Sequence, residues 1–148
     1  MSISSETFTL GRNARDQPWQ IGISAPVSNW RIGSQVAAAL LLSGRALSTS
    51  GDYQKFFFDA QGRRLCHIID PKTGYPVQHN LGGVSVVADN CMTADALSTT
   101  LFVLGPEAGL RFIETWTTAA ALFIVREAEG KFRSVPSSRF AGMTGYQP

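Results

Sequence analysis

The spacing of apolar and polar residues changes period along the chain, and the changes mark out its elements. Trp19, Ile21 and Ile23 occupy every second position, the period of a strand with one buried face. Pro26 closes that strand. The run Val36–Leu42 is apolar throughout, and period alone leaves a strand and a short helix both open for so short a run. We read it as a strand paired with residues 19–25. Residues 43–52 are rich in Gly, Ser and Thr and read as a loop. Residues 53–58 and 65–69 read as short strands around the turn Asp59-Ala60-Gln61-Gly62. Two prolines and a glycine make residues 70–76 irregular. Residues 83–88 are apolar and β-branched, hence a strand.

The period then lengthens. Asp89 or Asn90 can cap a helix over residues 91–103. Met92, Ala96, Thr99 and Val103 fall on one side of it, with Ala94, Leu97 and Leu101 nearby. Gly105-Pro106 stops this helix, and Pro106 starts a second one reaching to about residue 115. Residues 119–126 and 131–135 form a closing hairpin across Glu129-Gly130. Strands grouped on either side of a helix pair predict an α+β layer with an antiparallel sheet. Strict strand–helix alternation, which a parallel sheet needs, is missing.

Composition narrows the class. A chain of 148 residues, 44% hydrophobic and 16% charged, is long enough for one domain with a real core. Net charge is +2 and the basic residues are scattered apart from Arg63-Arg64, so nucleic acid is not an expected partner. Cys66 and Cys91 form no CxxC pair and read as two isolated thiols, although spacing alone leaves a disulfide open. The first residues show no charged segment followed by an apolar one, so no secretory signal is expected. The apolar runs are too short to span a bilayer.

Three segments can carry chemistry. In the first, His67 precedes Ile69, Asp70, Lys72, Thr73 and Gly74, at the junction of a strand and a tight turn. Lys72 and the loop amides can meet phosphate, and Gly74 lets backbone approach a ligand. A capped turn with a hydrogen-bonded histidine reads equally well. In the second, Asp95 and Thr99 stand four apart and share one helix face. Their hard oxygens near a helix N-terminus suit Mg²⁺ beside a diphosphate, but spacing by itself favours a solvated carboxylate and an ordinary threonine. The third, Thr49-Ser50-Gly51-Asp52-Tyr53, offers short hydroxyls and a glycine, as ligand loops and ordinary Ser/Thr turns both do. No Walker A, dinucleotide glycine fingerprint or nucleophile elbow is present.

Together these segments are more specific than any one. Ala46 to Tyr53, the stretch from His67 through Asp70-Pro71-Lys72-Thr73-Gly74 to Val77, Val84-Ser85-Val86, and Cys91-Met92-Thr93-Ala94-Asp95 on to Gly105 resemble the FAD:protein FMN transferases, the ApbE family. Trp19 to Ile23 with Pro26 also fits, and the match runs from about residue 10 to 135. The resemblance implies a T-fold-like module, an antiparallel sheet with a helix pair. It implies Mg²⁺ held by Asp95 and Thr99, His67 as acid/base, and FAD as substrate. Ser50, Gly51, Asp52, His67, Ile69, Asp70, Lys72, Thr73 and Gly74 would contact the nucleotide.

The implied reaction moves FMN from FAD to a threonine hydroxyl of an acceptor flavoprotein and releases AMP. FAD hydrolysis to FMN and AMP, a non-catalytic flavin-binding remnant and an inactive truncated fragment are the alternatives. The likeness is to the C-terminal half of the family domain. Residues 1–148 are therefore expected to form one module, whose complement would come from a partner chain or a second copy. Family members are typically periplasmic lipoproteins. The compartment of this chain is left open.

Overall fold

A computed structural model describes residues 6–26, 36–53 and 55–148. Five strands form an antiparallel sheet in the order β1-β4-β7-β8-β9: β1 Thr7–Thr9, β4 Arg45–Gly51, β7 Leu81–Ala88, β8 Ala120–Arg126 and β9 Phe132–Pro136. Two antiparallel ribbons accompany it. One pairs β2 (Trp19–Ser24) with β3 (Val36–Leu42), in the register Ile21↔Leu40. The other pairs β5 (Phe56–Phe58) with β6 (Arg64–Cys66). Helix α1 spans Cys91–Ile113, and a short helix α2, Phe140–Thr144, lies near the C-terminus. The expected α+β layer with an antiparallel sheet is the observed one.

The core has two sides. On one, α1 lays Ala94, Leu97, Leu101 and Phe102 on Val84, Val86 and Phe123 of the sheet. On the other, the β2–β3 ribbon brings Ile23, Leu40 and Leu42 against Leu47, Val87, Leu122 and Ile124, and Phe140 of α2 joins them. Strand β7 is buried along its whole length. That explains why it reads as a continuous apolar run with no alternation. The exposed side of α1 carries Met92, Ala96 and Thr99.

Three expectations are corrected. Residues 43–52 are not a loop: β4 occupies Arg45–Gly51 and pairs with both β1 and β7. Its serines and threonine mimic turn composition, but their hydroxyls find partners across the sheet and on α1. Strand β6 ends at Cys66, ahead of His67, and only an isolated Ile69↔Pro76 bridge continues the pairing. Helix α2 lies where no element was expected. It closes on Gly145, whose φ of 63° is left-handed. Gln54, within the expected strand over 53–58, lies outside the described residues, as do the first five residues read for a signal.

The helix break behaves as the sequence requires. Asn90 caps α1 by accepting the Thr93 N–H at 2.8 Å. At Gly105 the backbone turns to φ 79°, ψ 177°, and Pro106 opens a second limb. Pro106 has no N–H, so the Phe102 carbonyl four residues earlier loses its helical donor. The His79 Nε2–H donates to that carbonyl at 2.6 Å, while Nδ1 accepts the Leu81 N–H at 3.3 Å. The ring also meets Phe102 edge-on at 4.9 Å. Replacing His79 with Ala strands a partly buried carbonyl, at a cost of about 1–3 kcal/mol. Thermal unfolding should show the loss, and His79→Gln, which keeps a donor, should recover part of it.

Cys66 and Cys91 are free thiols. Burial pushes the Cys66 thiol pKa above its ordinary value. Among the described residues no helix is long and apolar enough to cross a membrane.

Candidate active site

The site is assembled on β4 and α1. Side chains two apart on a strand share a face. Ala46 belongs to the α1 side of the core and Leu47 to the other; Ser48 and Ser50 therefore face α1. On α1, Asp95, Ser98 and Thr99 stand at i, i+3 and i+4 and meet that serine ridge. The Ser50 hydroxyl lies 3.1 Å from Thr99 Oγ1 and 2.9 Å from Ser98 Oγ, and Ser48 donates to Asp95 Oδ1 at 3.4 Å. Asp95 and Thr99, one turn apart on α1, thus both meet the serines of β4, and both are exposed. Ser48 and Ser98 beneath them are fully buried.

Asp95 and Thr99 suit a small hard cation. Mg²⁺ takes one or two protein oxygens and completes its shell with phosphate oxygens and water. Among the described residues the Asp95 carboxylate has one long side-chain contact, and the residue is exposed, which leaves it open to such a role. No group of three or more His, Cys, Asp and Glu side chains gathers among the described residues. This chain therefore offers two side-chain oxygens and not a closed cage.

His67 follows β6 directly. The β5–β6 turn is held by Asp59, which accepts the Gln61 and Arg63 N–H groups at 3.0 and 2.8 Å. The Arg63 backbone bond, ahead of the other causes, holds the Asp59 carboxyl below its usual pKa. Beyond the turn, His67 Nδ1 lies 3.1 Å from the Lys55 carbonyl. A carbonyl only accepts, so Nδ1 carries the proton of the neutral ring, and Nε2 keeps the lone pair. The ring is exposed. His67 thus stands exposed just beyond the end of β6, with one ring nitrogen held by the Lys55 carbonyl.

The loop that follows is closed by its own backbone. Asp70 Oδ1 accepts the Lys72 N–H at 2.8 Å, and the Asp70 carbonyl accepts the Gly74 N–H at 2.8 Å. The turn needs a left-handed residue, which Gly74 supplies at φ 72°. Ile69, Lys72 and Thr73 are exposed on it. Asp70 lines a cleft of about 520 Å³ that runs past His79 to Gly105 and Arg111. A smaller cleft of about 240 Å³ lies between Asp52, Arg64 and His79. Neither cleft is lined by Asp95, Thr99 or His67, which stand on open surface.

Asp52 has a different job from the other named residues. Its carboxylate takes both Arg126 nitrogens, at 2.7 and 2.5 Å, and Arg64 Nη1 at 2.9 Å. Arg64 also reaches the Asp52 carbonyl at 2.8 Å. The clamp ties the end of β4 to β6, three residues before His67, and to the end of β8. It leaves that carboxylate little capacity for a ligand. Tyr53, next in the chain, has its phenol pKa raised by burial and then by Asp52. Sequence reasoning gave no site role to Arg64, Arg126, Ser48 or Ser98. The period-2 spacing of Ser48 and Ser50 was a usable signal. Arg126, 74 residues from its partner, offered none.

Comparison with known proteins bears on the family of the chain as a whole. Over 97% of its length this chain is 38% identical to the FAD:protein FMN transferase of Haemophilus influenzae, and it covers 40% of that protein. It is 34% identical to the Salmonella typhimurium protein of the same name, over 95% of this chain and 38% of the other. The chain thus spans about two-fifths of the length of the curated relatives it matches. The crystal structure of Pseudomonas stutzeri flavinyl transferase ApbE, apo form, superposes with a TM-score of 0.78 at 39% identity, over 99% of this chain and 43% of that one. The flavin transferase ApbE from Vibrio cholerae gives 0.77 at 35%, over 95% of this chain and 42% of its own. The model of the ApbE family matches residues 1–123, most of the chain, and on that match this protein belongs to the ApbE family.

Proposed function

We propose that this chain supplies the C-terminal part of a flavin-transferase site, which takes FMN from FAD to a threonine hydroxyl of an acceptor flavoprotein and releases AMP. The observation that carries the reading is the placement of Asp95 and Thr99, one turn apart on α1, against the β4 serine ridge, a hard-oxygen pair open to solvent. Asp95 and Thr99 would hold Mg²⁺, which when bound neutralises diphosphate charge. The loop bearing Ile69, Asp70, Lys72, Thr73 and Gly74, together with the Ser50-Gly51 end of β4, would border the nucleotide. The exposed Lys72 ammonium would meet its phosphates; the loop amides expected to do so are spent inside the turn, on Asp70, Thr73 and Tyr75.

His67 has the tautomer the chemistry asks for. Nδ1–H is held by the Lys55 carbonyl, so Nε2 can take the proton of the attacking threonine. The threonine oxygen then bonds to the FMN phosphorus, and the phosphorus–oxygen bond to AMP breaks. Positioning and charge stabilisation carry most of such a phosphoryl transfer. Because His67 is exposed, water can replace threonine, which gives FMN and AMP as free products.

The test is direct. The chain is incubated with FAD, Mg²⁺ and an acceptor carrying a flavinylation threonine, and covalent flavin fluorescence is read on the acceptor. AMP without acceptor fluorescence indicates hydrolysis, and neither product refutes the reading for this chain by itself. His67→Ala should lower transfer by about 10²–10⁴-fold, the range of a lost general base. Metal binding should be untouched, since His67 is not a proposed ligand.

A further inference from the structure

The serine ridge does more than fill space beneath Asp95 and Thr99: it sets the direction of their hydroxyl protons. A hydroxyl has one proton and two lone pairs. Ser98 Oγ donates to the Asp95 backbone carbonyl at 3.0 Å, and a carbonyl cannot return a proton. At its 2.9 Å contact with Ser50, Ser98 must therefore accept and Ser50 must donate. Ser50 then has no proton left for Thr99 at 3.1 Å, so Thr99 donates to Ser50. Ser48 spends its own proton on the Asp95 carboxylate. Its 3.4 Å approach to Ser98 then has no proton to share, in keeping with that length.

We infer that Ser98 and Ser50 are positioning residues which, through a one-way hydroxyl relay running from Thr99 to Ser50 to Ser98 to the Asp95 carbonyl, turn the lone pairs of Thr99 outward beside the Asp95 carboxylate to receive a divalent cation. The neighbouring residue supplies the contrast. Thr100, with no strand hydroxyl beside it, sends its proton back to the Ala96 carbonyl at 2.7 Å, the usual habit of a helical threonine. Thr99 is drawn off that habit by Ser50. Burial makes the arrangement costly to abandon, because Ser98 and Ser48 have no water to turn to. Outer-sphere partners of this kind orient a metal ligand and tune its affinity. The inference rests on the reading of Asp95 and Thr99 as cation ligands.

The experiment uses the 148-residue chain and Mn²⁺ as probe, with free Mn²⁺ followed by electron paramagnetic resonance and Mg²⁺ added as competitor. Ser98→Ala frees the Ser50 proton to turn onto Thr99 and occupy its lone pair. It should weaken Mn²⁺ binding by about 10-fold or more. Thr49→Ala removes a hydroxyl from the opposite face of β4, where Thr49 meets Ser85 at 2.8 Å, and should leave the affinity unchanged. Should Ser98→Ala fail to fold, Ser50→Ala carries the test, with the same loss expected. Asp95→Ala separates the two levels of the argument. If it abolishes binding while Ser98→Ala and Ser50→Ala bind like the parent, the relay is overturned and the proposed function stands. If the parent binds no Mn²⁺, or Asp95→Ala binds as well as the parent, both readings fall.

Discussion

If the proposed site is right, FAD with Mg²⁺ is expected to raise the thermal midpoint of the parent chain, and Asp95→Ala to abolish that shift and to lower flavin transfer by about 100-fold or more. The second figure follows from the several kcal/mol of charge stabilisation that a bound metal supplies, at about 1.4 kcal/mol for each factor of ten. Without ligand the fold should hardly notice, because the residue is exposed and the contact its carboxylate makes among the described residues is 3.4 Å long. The two readouts belong together. A ligand that binds only the folded state raises its midpoint by mass action, and losing the metal removes that shift. Asp95→Asn keeps an oxygen and loses the charge, so it should fall between parent and Asp95→Ala. A variant lacking this carboxylate that still shows the full Mg²⁺-dependent shift would place the cation elsewhere.

The second large effect concerns stability. Asp52→Ala should destabilise the protein by about 3 kcal/mol, since removing one member of a largely buried ion cluster leaves its partners uncompensated. The Asp52 side chain is 14% exposed and those of Arg126 and Arg64 26% and 27%, so some water reaches the arginines and the cost sits at the low end of that range. At about 2–4 °C per kcal/mol for a chain of this size, the midpoint should fall by about 6–12 °C. Arg64→Ala should cost less, because Asp52 keeps its two bonds to Arg126. An unchanged midpoint in Asp52→Ala would remove the clamp from the account of what ties β6, the strand ahead of His67, to the end of β4. A fall in transfer larger than the loss of folded protein would point to a displaced His67.

Several elements were legible in the residues themselves. The alternation of Trp19, Ile21 and Ile23 marked a strand, because one buried face imposes a period of two, whereas the apolar run Val36–Leu42 left strand and short helix open by period and proved to be its strand partner. Asn90 and the Gly105-Pro106 pair marked the start and the break of α1, since capping and missing N–H groups are decided within a turn of chain. The tight turn from Asp70 to Gly74 was equally readable from Asp, Pro and Gly. The family resemblance came from ordered motifs along one strand of text and needed no geometry.

Tertiary structure decided what lies far apart in the chain. Residues 45–51 look like a turn by composition and become a central strand only because β1 and β7 take their backbone groups and Ser85, Ser98 and Thr99 take their hydroxyls. Asp52 looks like a ligand residue until Arg126 arrives from the end of β8. Ser48 and Ser98, 50 residues apart, meet only when α1 lies on the sheet. Local sequence determines periodicity, caps and turns, because those depend on neighbours within one turn of helix or one strand pair. The partner of a buried polar group is set by sheet register and helix placement, which belong to the fold as a whole and are written at no single position.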